Sequence, residues 1–214
     1  LVSSSAASDV YKRQVDTHID TPYRIKAQLD NSGTFEDIAQ NTSYDFDYFR
    51  ALSGGLNVPF FSIYLPADTE EAGTSFKLAN ELIDLMNSII EANPEKFFLI
   101  DTSTYLGNLP GQNLIGIAYG MENGAALEGD LNNVVYFYNR GIRYITLTHS
   151  KSNHISDSSY DENKQWGGLS EFGKKLITEM NNVGIMIDIS HVSDAAFLQA
   201  IDISNTCLLY TSPS

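Results

Sequence analysis

Short apolar runs rich in β-branched and aromatic residues recur along this chain, separated by stretches with a helical repeat. The strand-sized runs are Val15–Asp20, Val58–Leu65, Leu114–Tyr119, Tyr144–Thr148 and Ile185–Ile189. Between them, Ala79, Leu82, Ile83, Met86, Ile89 and Ile90 fall on one face at the 3.6-residue period, and Asn93-Pro94 stops the pattern. A second helix is expected after Asp130 as cap, with Leu131, Val134, Val135 and Tyr138 inward and Gly141 as its stop. Ser170 caps a third, with Phe172, Leu176, Ile177, Met180 and Val183 inward and Gly184 at its end. Nearly continuous apolar strands alternating with helices predict an α/β fold with a parallel sheet, either doubly wound or a (β/α) barrel.

Composition narrows the partners. Lys and Arg number 13 against 27 Asp and Glu, and the resulting net charge of −14 repels a phosphate backbone, so nucleic acid is not an expected partner. No apolar stretch approaches the roughly 18 residues of a bilayer-spanning helix, so no membrane segment is expected in this chain. The single cysteine, Cys207, excludes an intramolecular disulfide and a cysteine-rich zinc finger, so any metal must be held by histidine and carboxylate. The ends read differently from the middle. Residues 1–14 are Ser/Ala-rich without periodicity, and 207–214 (CLLYTSPS) begin like a strand and stop. Both are expected to be non-native flanks of a native segment 15–206.

The chemistry gathers at strand ends. Of the 4 histidines, His18, His149 and His191 each stand at or just past the end of an expected strand. In (β/α) barrels, loops from the carboxyl ends of different strands converge on one mouth, so these residues are expected to meet. His18 and Asp20 are two apart on a strand and share a face, where imidazole plus carboxylate suits zinc or a related divalent ion rather than calcium. Glu122 follows the third run across Gly120, and its two carboxylate oxygens can bridge two cations. His191 is delivered by the apolar run Ile187-Asp188-Ile189-Ser190. Together these four form the expected metal site. His149 could be a ligand, a general acid or base, or a donor to a substrate oxygen. His154 is read as a surface residue of a polar loop. Asp188 is left without a role, because the strand period points it away from His191. No phosphate-binding glycine loop, His-Glu-x-x-His helix or Gly-x-Ser-x-Gly elbow occurs.

Four ordered motifs carry a family resemblance: Val15-Asp16-Thr17-His18-Ile19-Asp20, Gly141-Ile142-Arg143-Tyr144-Ile145-Thr146-Leu147-Thr148-His149-Ser150, Gly168-Leu169-Ser170-Glu171-Phe172-Gly173, and Ile187-Asp188-Ile189-Ser190-His191-Val192-Ser193. They resemble the membrane (renal) dipeptidase family of zinc peptidases, family M19. The resemblance implies a metallo-dependent hydrolase-like (β/α)8 TIM barrel, of which 15–206 would be the N-terminal part, about the first five to six β/α units. It implies two zinc ions per complete site, with His18 and Asp20 on one, Glu122 bridging both, and His191 on the other. Glu122 and His149 would be catalytic, His149 by contacting the substrate carbonyl, and the reaction would be hydrolysis of a dipeptide by a metal-bridging hydroxide. The implied partner is a dipeptide substrate, with a homodimer open to the full-length parent.

The departures from the family matter equally. A further zinc histidine is expected at the end of the sixth strand, where Ser212 stands here, and a substrate-carboxylate arginine and a late aspartate fall beyond the chain. The second zinc site is therefore incomplete, and the chain is expected to be an inactive fragment of an active dipeptidase. The alternatives are a degenerate or truncated barrel with a binding role and another metal-dependent amidohydrolase; the latter commonly opens with His-x-His rather than His-x-Asp.

Overall fold

The computed structural model describes residues 14–100 and 113–209. The segment 1–13 and Ser212 lie outside the described residues. The chain divides into two compact units, Leu1–Phe61 with Leu85–Ala118, and Ser62–Asp84 with Tyr119–Ser214. The elements, in chain order, are β1 (Gln14–Ile19), α1 (Thr21–Ser32), α2 (Tyr48–Gly54), β2 (Leu56–Tyr64), the single turn α3 (Asp68–Glu71), α4 (Ser75–Ala92), β3 (Phe97–Leu99) and β4 (Ile115–Glu122). After a 3-10 turn at Gly124–Leu127 come α5 (Asn132–Asn139), β5 (Ile142–Thr146), α6 (Glu171–Val183), β6 (Met186–Asp188), α7 (Asp194–Ile203) and β7 (Leu208–Leu209). Strands β2 and β4 and helix α4 contribute residues to both units.

In the first unit, β1 pairs with β2 and β3 with β4, both in parallel. Val58, Ile100 and Ala118 form an apolar cluster there, with Phe60 and Phe98 packed on it. In the second unit β4, β5, β6 and β7 pair successively, again all parallel. Parallel pairing needs a crossover between strands, and helices supply it from β1 to β2, β4 to β5, β5 to β6 and β6 to β7, as expected for an incomplete (β/α)8 barrel. Every residue of β4 is buried, the pattern of a strand covered on both faces.

The expected helices form with adjusted ends. The six apolar positions of α4 are all buried, and the helix stops at Ala92 before Asn93-Pro94. Helix α6 starts from Ser170, whose hydroxyl accepts from the N–H of Gly173, and ends at Gly184 in the left-handed conformation. Helix α5 corrects the expectation in two respects. It begins at Asn132, one residue past Leu131, with the Asp130 carboxylate accepting from the Asn132 N–H. Val135, expected inward, is exposed, because a short helix with apolar residues on several sides buries only Val134 and Phe137. Strand β3, only three residues long, was not among the expected runs, while the two-residue β7 falls where 207–214 begin like a strand. Among the described residues, no helix is long and apolar enough to cross a membrane.

Candidate metal centre

Each expected ligand sits where a strand gives way to a loop or helix, and the structure refines how it gets there. In the first unit β1 ends at Ile19, so Asp20 is the residue before α1 rather than the last of the strand. Its backbone has left the extended region (φ −83°, ψ 25°), and its carboxylate makes no capping hydrogen bond to the helix. The carboxylate instead approaches His18, Oδ1 to Nε2 at 3.3 Å. Strand alternation is therefore not what joins the pair; the turn into α1 is. The imidazole is buried while Asp20 is half exposed.

The second unit brings Glu122, His149 and His191 together. Glu122 is the last residue of β4, not a residue beyond it, because Gly120 continues the strand. The ring of Tyr144 lies directly over Gly120, where a Cβ would come within 1.9 Å of its Cζ. The Glu122 carboxylate is 3% exposed. Its Oε1 lies 3.4 Å from Nε2 of His149 and 3.5 Å from Nε2 of His191, while Oε2 accepts a hydrogen bond from Ser62 Oγ at 3.1 Å. The two imidazole rings meet edge to face with centroids 4.5 Å apart. Tyr64 packs edge-on to His149 at 5.1 Å, and Tyr160 lies 5.8 Å from His191.

Neighbouring polar residues fix these side chains. Asn123, next to Glu122, takes a left-handed backbone (φ 73°); its amide donates to the carbonyl of Leu65 and its oxygen accepts from Asn153 Nδ2 and the N–H of Ala125. His191 also takes a left-handed backbone (φ 67°), an unusual conformation for a residue with a Cβ. Asp188 gains the role the sequence left open. It accepts from Thr146 Oγ1 at 2.6 Å and from both N–H and Oγ of Ser190, so it holds the turn that delivers His191.

The loop between β5 and α6 is the part sequence reasoning missed. Asp157, in this loop, is 1% exposed. Burial alone would raise its pKa, but hydrogen bonds from the N–H groups of Gln165, Gly168, Trp166 and Gly167 outweigh that and hold the carboxyl below its ordinary value. Asn153 accepts from the N–H groups of Ile155 and Ser156 and donates to the carbonyl of Leu147. His154 is not a bare surface residue: its Nδ1 and N–H both meet Glu70 Oε1, at 2.7 and 3.0 Å, and its Nε2 faces the N–H of Gly129. The one available signal was length, since a long connection with little structure of its own is commonly functional.

Two imidazole nitrogens and a buried carboxylate oxygen, all within 4.8 Å of one another, are a donor set suited to a divalent ion of the zinc type. His149 belongs to this set by distance as fully as His191 does. Its side chain is more open, however, at 22% exposure against 7%.

Comparison with known proteins gives these positions a context. A model of the membrane dipeptidase family, peptidase family M19, matches residues 7–214. Dipeptidase 3 of Mus musculus is 29% identical over 201 residues, covering 92% of this chain and 40% of that protein. Dipeptidase verJ of Clonostachys rogersoniana is 27% identical over 209 residues, covering 94% of this chain and 54% of that one. Among solved structures, a metallo peptidase from Rhodobacter sphaeroides liganded with a phosphinate mimic of L-Ala-D-Ala aligns with a TM-score of 0.77 at 20% identity, over 92% of this chain and 64% of that one. The chain spans about half the length of the curated relatives it matches.

Proposed function

Because the chain belongs to the membrane dipeptidase family, peptidase family M19, we propose that the complete protein is a zinc-dependent dipeptidase and that this chain supplies part of its active site. The observation that carries the reading is the convergence of the buried Glu122, through Oε1, with Nε2 of His149 and His191. His18 and Asp20 would hold one ion, and Glu122 with His191 would hold another. Bound zinc supplies Lewis acidity, which activates water and polarises the scissile carbonyl.

The chain's own residues do the rest. Ser62 Oγ donates to Glu122 Oε2, which fixes the carboxylate and leaves Oε1 turned to the imidazoles. His149, more exposed than His191, is read as the donor from Nε2 to the carbonyl oxygen of a bound dipeptide as negative charge develops there. In the net reaction water adds across the peptide C–N bond, giving a free carboxylate and a free amine. The substrate class is a dipeptide.

The 214-residue chain by itself is read as inactive, since Ser212 stands where the resemblance places a further zinc histidine. The test is hydrolysis of a Gly-D-Ala-type dipeptide by the full-length protein, its Glu122→Gln variant and this chain. Turnover by the full-length protein, lost in the variant and absent from this chain, is expected. Full activity in Glu122→Gln would overturn the site assignment, and an ordinary rate from this chain would overturn its inactivity.

A further inference from the structure

We propose that Asp157 is a positioning residue: its carboxylate anchors a turn whose next two residues, Ser158 and Ser159, grip the backbone carbonyls of His149 and His191 and so set the spacing of the two imidazoles. The function of that spacing rests on the dipeptidase reading above, but the spacing itself does not.

The bonds run in one direction. Asp157 Oδ1 accepts from the N–H of Gln165 at 2.6 Å, Oδ2 from that of Gly168 at 2.9 Å, and both from that of Trp166 at 3.2 Å. Its backbone closes the same frame, its N–H donating to the carbonyl of Gly168 and its carbonyl accepting from the N–H of Ser193, each at 2.9 Å. From this fixed point the chain reaches both histidines at once. Ser158 Oγ donates to the carbonyl of His149. The N–H of Ser159 donates to the carbonyl of His191 at 2.7 Å and its hydroxyl to the same oxygen at 3.0 Å. An isolated bridge between Ser158 and Val192 continues the contact.

The two histidines follow different strands, β5 and β6, and the pairing bonds reach only one residue past each end, from Leu147 N–H to the Asp188 carbonyl and from Ile189 N–H to that of Leu209, so they do not fix the histidines' positions. The double grip does. It also gives a reason for the left-handed backbone of His191, whose carbonyl must turn toward Ser159 to accept both bonds. Asp157 reaches the two histidines through these serines and, by its own carbonyl, through Ser193.

The test uses this chain labelled with 13C-histidine, whose 4 histidines give a readable spectrum. Ser158→Ala is expected to move the ring resonances of His149, Ser159→Ala those of His191, and Asp157→Asn those of both. Asp130→Ala, which removes a helix-start bond elsewhere, is expected to leave both in place. In parallel, zinc affinity of Asp157→Asn is expected to fall by about tenfold to hundredfold, the range for residues that orient metal ligands. If Asp157→Asn does not fold, the two serine variants decide. Unmoved histidine resonances in the serine variants, or in a folded Asp157→Asn chain, would overturn the proposal. Unchanged zinc affinity in a folded Asp157→Asn chain whose histidine resonances have moved would overturn the role of the spacing. Wild-type chain that binds no zinc while the resonances move as stated would instead overturn the metal-site reading and keep the positional one.

Discussion

Gly120 shows how the size of one residue decides where Glu122 stands. Read along the chain, a glycine after an apolar run marks a strand end, which puts Glu122 in a loop. In the fold, Gly120 lies opposite Tyr144 in the register of β4 and β5, and the buried ring occupies the place of its missing side chain. Gly120→Ala drives a methyl group into that ring and is expected to destabilise the second unit by about 3 kcal/mol, the upper range for overpacking. Chemical denaturation checks it. Combining it with Tyr144→Leu, which removes the ring, should cost less than the sum of the single changes; strict additivity would sink the steric account. The same limit applies to the other residues missed. Ser62 bonds Glu122 across 60 positions and Asn153 bonds Asn123 across 30, and no local pattern carries such pairings. That His149 and His191 lie side by side past the ends of β5 and β6 was legible because hydrophobic period marks strand ends locally and parallel pairing sets neighbouring ends next to each other.

At the scale of elements, helix α6 was readable almost in full because its signals are local: a serine cap, an apolar stripe and a glycine stop. The structure adds that Ser170 works twice, accepting from the N–H of Gly173 at 2.9 Å and donating to the carbonyl of His154 at 2.6 Å. Gly173 sits so close to the carbonyl of Ile155 that a Cβ would approach its oxygen to 2.2 Å. The first turn of α6 is thus docked against the loop that carries Asp157. Ser170→Ala is expected to cost about 1–2 kcal/mol, the range for a lost N-cap, and Ser170→Thr, which keeps the hydroxyl, much less. Equal losses in both variants would show that the cap is not what the serine contributes. Helix α5 was read less well, and the reason is physical. With apolar residues on several sides, its period does not identify the buried face, and Tyr136 is held instead by stacking on Phe76 and a 2.7 Å bond to Asn80.

Over the whole molecule, the balance of 27 acidic against 13 basic residues suggests that acid should relieve repulsion and stabilise the chain. Two buried carboxylates argue for the opposite outcome. Asp47 is pushed up by burial, but the N–H and guanidinium of Arg50 and the N–H of Thr42 outweigh this and lower its pKa, just as backbone N–H groups lower that of Asp157. A carboxyl with a lowered folded pKa adds stability that is complete above its unfolded value, near 3.9, and disappears as pH falls through the folded value. Asp47 lies in the first unit and Asp157 in the second, so neither unit is exempt. Stability is therefore expected to hold at neutral pH and to fall through the acid range below about pH 5. The decisive quantity is the stability gap between wild type and Asp47→Asn, and separately Asp157→Asn, measured by urea denaturation from pH 7 to pH 3. Each gap should hold from pH 7 to about pH 5 and narrow from there toward pH 3, because protonation removes from the wild type the charge that the variant already lacks. A gap that stays constant across that range would mean these carboxylates act through shape alone, and that relief of the net negative charge governs the acid response.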